Sequence, residues 1–407
     1  MLKNIIIIND FAYEDGGASQ VAILSALGLA KRGYFVDFFC SVGPISPRLT
    51  SDNLTVRCVG RYDILRDPNR VRATINGLWN MAAAKSLSQQ IKYMDKTNTI
   101  IHLHSWTKAL SSSVIRTVLK RNFPVICTLH DYFVACPNGN FFNYTSNKIC
   151  KFRALSLPCL LSNCDKRNYR QKLWRLVRSY IQARAGMMPR GLKHFIFVSK
   201  FSSSILSDYL PDASISYYVD NPIDVSPKIP VTVANNQYFI YVGRLSPEKG
   251  VVSLAKTLTK ENIKFLLLGD GECRKELSNT IPEQMIVGWV PHDMVSVYFK
   301  KARALLLPSL SYETQGLVVL EAAAHGVPAV VPDSCAARDL VVDNETGLWY
   351  RGGDFEDLLA KVRLLEDNKL VYRLGNGAYR NFWLNSPNLD NHLNKLIQVY
   401  ETILRQN

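Results

Sequence analysis

Two α/β domains, each built on a doubly wound parallel sheet, are what this chain predicts, and three observations predict them. Short apolar runs alternate with helical stretches along most of the sequence, each run bounded by glycine or a polar turn. At 407 residues the chain is too long for one ordinary core and suits two domains of about 200. A polar hinge, Asp220-Asn-Pro-Ile-Asp224 continuing through Val233-Ala-Asn-Asn236, splits the alternation in two.

In the first half, strands are expected at Ile5–Ile8, Phe35–Cys40, Leu54–Cys58, Thr99–Leu103, Val125–Leu129 and Phe195–Val198. Continuous apolar runs of this kind suit strands buried on both faces, as parallel strands are. Ile5–Ile8 leads through Tyr13-Glu-Asp-Gly-Gly-Ala-Ser-Gln20 into a helix with Val21, Leu24, Leu27 and Leu29 apolar, stopped at Lys31-Arg-Gly33. This strand, glycine loop and helix lack the GxGxxG fingerprint, so a nicotinamide cofactor is disfavoured and no other cofactor is expected. Taken alone, Gly16 and Gly17 need only make a tight turn. In the second half, strands are expected at Tyr238–Val242, Ile263–Leu268, Met285–Val287, Ala304–Leu307 and Ala329–Val331. A last helix, Leu389 to Leu404, carries Leu393, Leu396, Ile397, Val399, Tyr400 and Ile403 as its apolar positions.

The segment richest in chemistry runs from Pro308 to Pro328. A strand passes through a polar loop into a helix from about Leu317 to His325, stopped by Gly326 and Pro328. Free N–H groups near Gly316, Leu317 and Val318 favour an anion, and Gly316 has no Cβ to hold a phosphate away. Glu313, before the helix, can accept hydrogen bonds from sugar hydroxyls, and Glu321, inside it, from a ribose diol; solvated loop and local cap are the plain alternatives. Upstream, Tyr241-Val-Gly-Arg-Leu-Ser-Pro-Glu-Lys-Gly250 places Arg244 and Lys249 on a glycine-bounded turn, a fork and a point charge suited to a diphosphate. His102 and His104 share one face of their strand, His102 reading as a satisfied core histidine, and His130-Asp131 end the next strand.

With Leu266-Leu-Leu-Gly-Asp-Gly-Glu272, Val287-Gly-Trp-Val290 and Glu345-Thr-Gly-Leu348, these segments strongly resemble the C-terminal half of the retaining glycosyltransferases of glycosyltransferase family 4, which have the GT-B fold. The resemblance implies two Rossmann-like domains facing across a cleft: residues 1–220 on the acceptor side with an insertion at 134–184, residues 221–383 binding the nucleotide sugar, and a helix at 384–407 crossing back to the first domain. It implies that Gly16, Gly17 and Gly243 approach the donor, that Thr314, Gln315, Gly316, Leu317 and Val318 contact it, and that Glu321 takes the ribose. His130 would lie beside the donor sugar, Glu313 would position that sugar, and Arg244 and Lys249 would stabilise the departing diphosphate without a divalent ion, in keeping with the lack of an Asp-x-Asp motif. His104 and Asp131 are acceptor-side candidates; Asp131 departs from the small residue many relatives carry after the histidine. A sugar-nucleotide epimerase and a catalytically silent scaffold of a polysaccharide assembly complex are the alternatives. Retention of Gly17, His130, Arg244, Lys249, Glu313 and Glu321 weighs against the scaffold.

The net charge of +15 is unevenly spread. From Lys148 to Arg184 ten basic residues face one acid, Asp165, and Phe152, Leu155, Leu157, Leu160, Leu161, Trp174, Leu176 and Tyr180 are interleaved with them. That mixture suits an anionic membrane surface better than nucleic acid, for which no fold signature is present. With no apolar run near the ~20 residues of a span and no signal peptide, a cytoplasmic protein peripheral to the inner face of the cell membrane is expected. The partners expected are a nucleotide-diphosphate sugar and a glycan acceptor, lipid-linked in surface polysaccharide assembly. Of nine cysteines, Cys136, Cys150, Cys159 and Cys164 crowd into the insertion, a pattern some family 4 members share. Structural zinc is conceivable there, although no CxxC knuckle is present; thiols packing the insertion are the plainer expectation.

Overall fold

The computed structural model describes residues 2–226, 229–385 and 387–406. Its first sheet contains β1 (Asn4–Ile8), β2 (Phe35–Cys40), β3 (Leu54–Cys58), β4 (Thr99–Leu103) and β5 (Val125–Leu129). After a small antiparallel ribbon, β6 (Phe142–Asn143) with β7 (Lys148–Ile149), it is completed by β8 (His194–Phe197) and β9 (Ile215–Tyr218). The second sheet contains β10 (Tyr238–Val242), β11 (Phe265–Leu268), β12 (Ile286–Gly288), β13 (Ala302–Leu306), β14 (Ala329–Pro332) and β15 (Gly347–Tyr350). The orders are β3-β2-β1-β4-β5-β8-β9 and β12-β11-β10-β13-β14-β15, with every neighbouring pair parallel.

β9 and β15 were not among the expected strands. β9 is an edge strand whose residues alternate half-buried and exposed, so Ile-Ser-Tyr-Tyr carries no buried-strand run. β15 is short and opens on a glycine, which weakens any strand signal.

Strand order reverses between β1 and β4 in the first sheet and between β10 and β13 in the second. At such switch points the loops leaving the strands part and open a crevice at their carboxyl ends. The chain leaving β1 and β4 begins with Asn9-Asp10 and His104; that leaving β10 and β13 begins with Gly243-Arg244 and Leu307-Pro308. With His130-Asp131, which leave β5, the candidate residues come from five loops, three on the first sheet and two on the second.

The helix Leu389–Gln406 packs on the first sheet although the chain reaches it from the second. Its Leu393, Leu396, Tyr400 and Ile403 are buried with Ile5, Ile7 and Phe38. A Cβ on Gly28 would lie 2.4 Å from Leu393 Cδ1, so the bare helix Gly17–Lys31 lets Leu393 pack directly against it at that position. At about 1.5–3 kcal/mol for each large apolar side chain buried, this last helix is a substantial part of the first sheet's stability.

Candidate functional site

On the second sheet, the turn after β10 and the loop after β13 are zipped together. Gly250 sits at φ +67°, and a Cβ there would fall 2.1 Å from the Pro308 carbonyl oxygen, so only glycine allows the approach. Leu310 N–H donates to the Glu248 carbonyl at 2.9 Å. Beside these backbone contacts, Lys249 Nζ donates to Glu313 Oε1 at 2.5 Å, and Ser309 Oγ donates to the same oxygen. Burial pushes the Glu313 carboxyl up, but the Lys249 charge and hydrogen bond, the Ser309 hydroxyl and the Arg244 charge outweigh it and hold the group below its ordinary value. Arg244 itself is exposed, and among the described residues it has no carboxylate partner within ion-pair distance. It is a cation free to meet an anionic ligand.

Gly316, left-handed at φ 94°, caps the helix Leu317–Ala324, as the spacing implies. Gln315 beside it is buried, with neither polar atom of its carboxamide hydrogen-bonded among the described residues. Such an arrangement is costly without a partner. Glu321, farther along, accepts from His292 Nε2 at 3.0 Å, and that hydrogen bond raises the imidazole above its ordinary value. The pair borders a pocket of about 220 Å³ with Asp224, Phe299 and His325.

The first sheet presents histidines. His102 is a satisfied core residue, Nδ1 2.6 Å from Tyr400 Oη and Nε2 2.6 Å from Thr128 Oγ1. His104 is also buried, rather than exposed to an acceptor, and its Nδ1 lies 2.9 Å from His130 Nε2. Its own Nε2 has no partner among the described residues. Burial lowers His104 far below its usual value and His130 to about 3, so the shared hydrogen bond joins two neutral rings. Burial also lifts Asp131 to about 6.

The sequence reading passed over Asp10. Its buried carboxylate accepts from the N–H groups of Lys108, Ala109 and Leu110, each at 2.9 Å, pinning the loop that follows His104 to the end of β1. Lys108 then holds the glycine loop through Asp15 at 2.7 Å. An acid directly after a buried strand was the available signal.

The two walls meet at these residues. Thr314 Oγ1 donates to the His130 carbonyl at 3.0 Å, Ser199 Oγ to the Thr314 carbonyl at 2.6 Å, and Tyr132 Oη to the Glu313 carbonyl at 3.2 Å. A Cβ on Gly17 would lie 3.1 Å from Leu317 Cδ1, so the glycine loop of the first sheet faces the helix start of the second. The structure thus gathers Gly17, His130, Glu313, Thr314 and Leu317 at one place. Lys249 is tied to this group through Glu313, whereas Glu321 sits at the pocket beside His292.

Residues 15–226 match the description glycosyltransferase family 4, and residues 224–381 match glycosyl transferases group 1. The first match alone spans just over half of the chain. The chain belongs to glycosyltransferase family 4. Among its relatives, a GDP-mannose-dependent alpha-mannosyltransferase of Mycolicibacterium smegmatis is 33% identical over 116 residues, 28% of this chain and 31% of the relative. A 2-deoxystreptamine N-acetyl-D-glucosaminyltransferase of Niallia circulans is 28% identical over 177 residues, 41% of this chain and 45% of the relative. The chain thus spans from about a third to under half the length of these curated relatives. Sucrose-phosphate synthase from Thermosynechococcus elongatus superposes with a TM-score of 0.73 at 18% identity, over 100% of both chains. Anabaena HepE in complex with UDP and glucose does so with 0.69 at 16%, over 98% of this chain and 100% of that one. At such identities the likeness is one of fold, and that fold is GT-B.

In this family 4 chain the segment 134–184 carries the clustered cysteines and cations. Around Cys136, Cys150, Cys159 and Cys164, as elsewhere among the described residues, no three His, Cys, Asp or Glu side chains are disposed to hold a metal ion. The reason is Lys172: fully buried, its Nζ lies 3.0 Å from Cys164 Sγ and 3.6 Å from Cys159 Sγ, putting an ammonium among the thiols. Cys136 donates instead to Asn138 Oδ1 at 3.1 Å. The apolar residues interleaved with the segment's cations divide between exposed and inward positions. Leu157, Leu161 and Tyr180 are 67%, 71% and 62% exposed, whereas Trp174 turns inward onto Gly77. No helix among the described residues is long and apolar enough to cross a membrane.

Proposed function

We propose that this chain is a retaining glycosyltransferase that moves a sugar from a nucleotide-diphosphate donor to a glycan acceptor carried on a lipid, in surface polysaccharide assembly. The observation that carries the reading is the convergence of Glu313, locked by Lys249 and Ser309, with His130 and Thr314 across the cleft. The family supports it, as do the sugar-transferring relatives and the solved HepE complex with UDP and glucose. Exposed Arg244 and half-buried Lys249 take up the charge that develops on the departing diphosphate, the electrostatic term that usually dominates such catalysis. In this reading no divalent ion is required. Glu313 holds the donor sugar through its hydroxyls, and neutral His130 donates or accepts beside the anomeric carbon. Glu321 binds the ribose, while Gly16, Gly17, Gly243 and the Thr314–Val318 backbone line the donor.

The acceptor hydroxyl attacks the oxocarbenium-like carbon on the face the diphosphate leaves, and a departing phosphate oxygen takes its proton. Configuration is kept without a protein nucleophile. The exposed leucines and cations of the insertion rest on the anionic membrane surface that carries the acceptor. The test is nucleoside diphosphate release from a panel of UDP-, GDP- and ADP-sugars, with and without EDTA. Release from one donor that survives EDTA and disappears in Arg244→Ala supports the reading. Loss of free donor with no glycosidic product would turn it towards an epimerase.

A further inference from the structure

Between the helices Arg70–Leu78 and Tyr169–Arg184 lies a pocket of about 180 Å³, away from the Glu313 loop, whose walls include Arg70, Arg167, Arg170, Trp174, Ile64 and Leu65. It is smaller than the ~300–1,000 Å³ that encloses a drug-sized ligand, so it suits a headgroup of few atoms. Its charge is not balanced locally. Asp67 is engaged by Arg72 at 2.7 Å, Asp165 by Arg175 at 2.6 Å, and Asp63 faces Arg66 at 3.7 Å. Among the described residues Arg167 and Arg170 have no carboxylate within ion-pair distance.

The surroundings are apolar. Leu65 is 63% exposed; Val71 and Ile75, one turn apart on the first helix, are 69% and 58% exposed, and Leu173 and Val177, one turn apart on the second, 47% and 48%. A soluble anion gains nothing from such neighbours, whereas an anion on a hydrocarbon chain does. The pocket also adjoins the cleft. Trp174 lies 5.3 Å from the guanidinium of buried Arg178, which donates to the carbonyls of Thr107 and Pro137 in the segments following His104 and Asp131.

We propose that this pocket binds the phosphate group of the lipid that carries the acceptor, with Arg167 and Arg170 on the phosphate oxygens, Trp174 against the linkage, and the hydrocarbon chain along the exposed apolar ridges. The inference rests on the reading of the chain as a transferase with a lipid-borne acceptor, and names the part of that acceptor the protein grips. Bound there, the headgroup is held beside the cleft and the glycan can extend towards His130.

The probe is farnesyl diphosphate, titrated calorimetrically into the full chain saturated with UDP so that the donor's diphosphate clamp is occupied. Inorganic pyrophosphate and farnesol serve as the two halves of the probe. The expected result is that farnesyl diphosphate binds at least about tenfold tighter than either half, and that Arg167→Gln/Arg170→Gln, folded by its circular dichroism melt, loses at least about tenfold of that affinity. Leu173→Ser/Val177→Ser should weaken farnesyl diphosphate but not pyrophosphate. Equal binding of pyrophosphate would make this a soluble-phosphate site and overturn the proposal, as would unchanged affinity in the double arginine variant. Probe binding needs no turnover, so the two readings separate. A wild-type protein that binds the probe but consumes no sugar nucleotide counts against the proposed function. One that consumes donor but ignores the probe counts against the pocket.

Discussion

The two walls of the cleft solve opposite problems. The wall built on the second sheet is charged: Lys249 and Glu313 are bonded to each other, and Arg244 stands exposed beside them. The wall built on the first sheet presents His104 and His130 joined as neutral rings, its Asp10 carboxylate being tied to backbone N–H groups. Charge is kept where a diphosphate would leave. Neutral hydrogen-bonding groups are kept where a sugar would sit, since an imidazolium there would oppose a carbon becoming positive.

The most damaging way to break this contrast is Lys249→Ala, which leaves Glu313 among buried neighbours without its cation. Nucleoside diphosphate release should fall on the order of 10³-fold, with a measurable loss in denaturant midpoint. Glu313→Gln in the same background should restore the midpoint but not the rate.

Acid attacks the other wall. His130 and His392, the latter lowered to about 4 by burial, bind fewer protons folded than unfolded, so their contribution is full above the unfolded value near 6.5 and is lost as pH falls from there towards 4 and 3. Asp131, raised to about 6, works in the opposite sense, its protonated form being favoured in the fold as pH drops from 6 to 4. The expected outcome in urea melts is a net loss of stability between pH 7 and 4.5, to which buried His102 and His104, also lowered far below their usual values, contribute in the same sense. His130→Gln should flatten that slope.

If the ring acts near the reacting carbon as proposed, His130→Ala at pH 7.5 should lower turnover about 10²-fold with the donor KM little changed. The smallest effect belongs to Glu321→Gln, farthest from the chemistry. It should raise the donor KM about tenfold at nearly constant kcat, and the His292 titration followed by NMR should move down as its partner loses charge.

Most strands were legible in the sequence. Those of the second sheet, β15 excepted, were readable to within two residues as apolar runs leading to a glycine or proline, those of the first sheet, β9 excepted, to within one, and the helix from Leu317 was readable from Gly316 and Gly326. The helices Arg70–Leu78 and Met81–Gln90 had no such signal: Val71, Ile75 and Met81 are exposed, so no apolar stripe marks a buried face. Of the site, residue types and loop positions were visible. The contact of Thr314 with the His130 carbonyl was not, since it depends on how the sheets face each other. Lys172 was hidden for a different reason: on a helix with four arginines, nothing in its spacing distinguishes a buried ammonium from solvated neighbours.

The return of Leu389–Gln406 to the first sheet bears on the order in which the chain matures. Residues 238–384 form a contiguous stretch that can settle as soon as it leaves the ribosome. The amino-terminal half, synthesised earlier, lacks Tyr400 against His102 and Leu393 against Gly28 until the final turns have emerged. The part made first is therefore finished last, and deletion of the helix Leu389–Gln406 would be felt at the histidine wall rather than in the second sheet that precedes it.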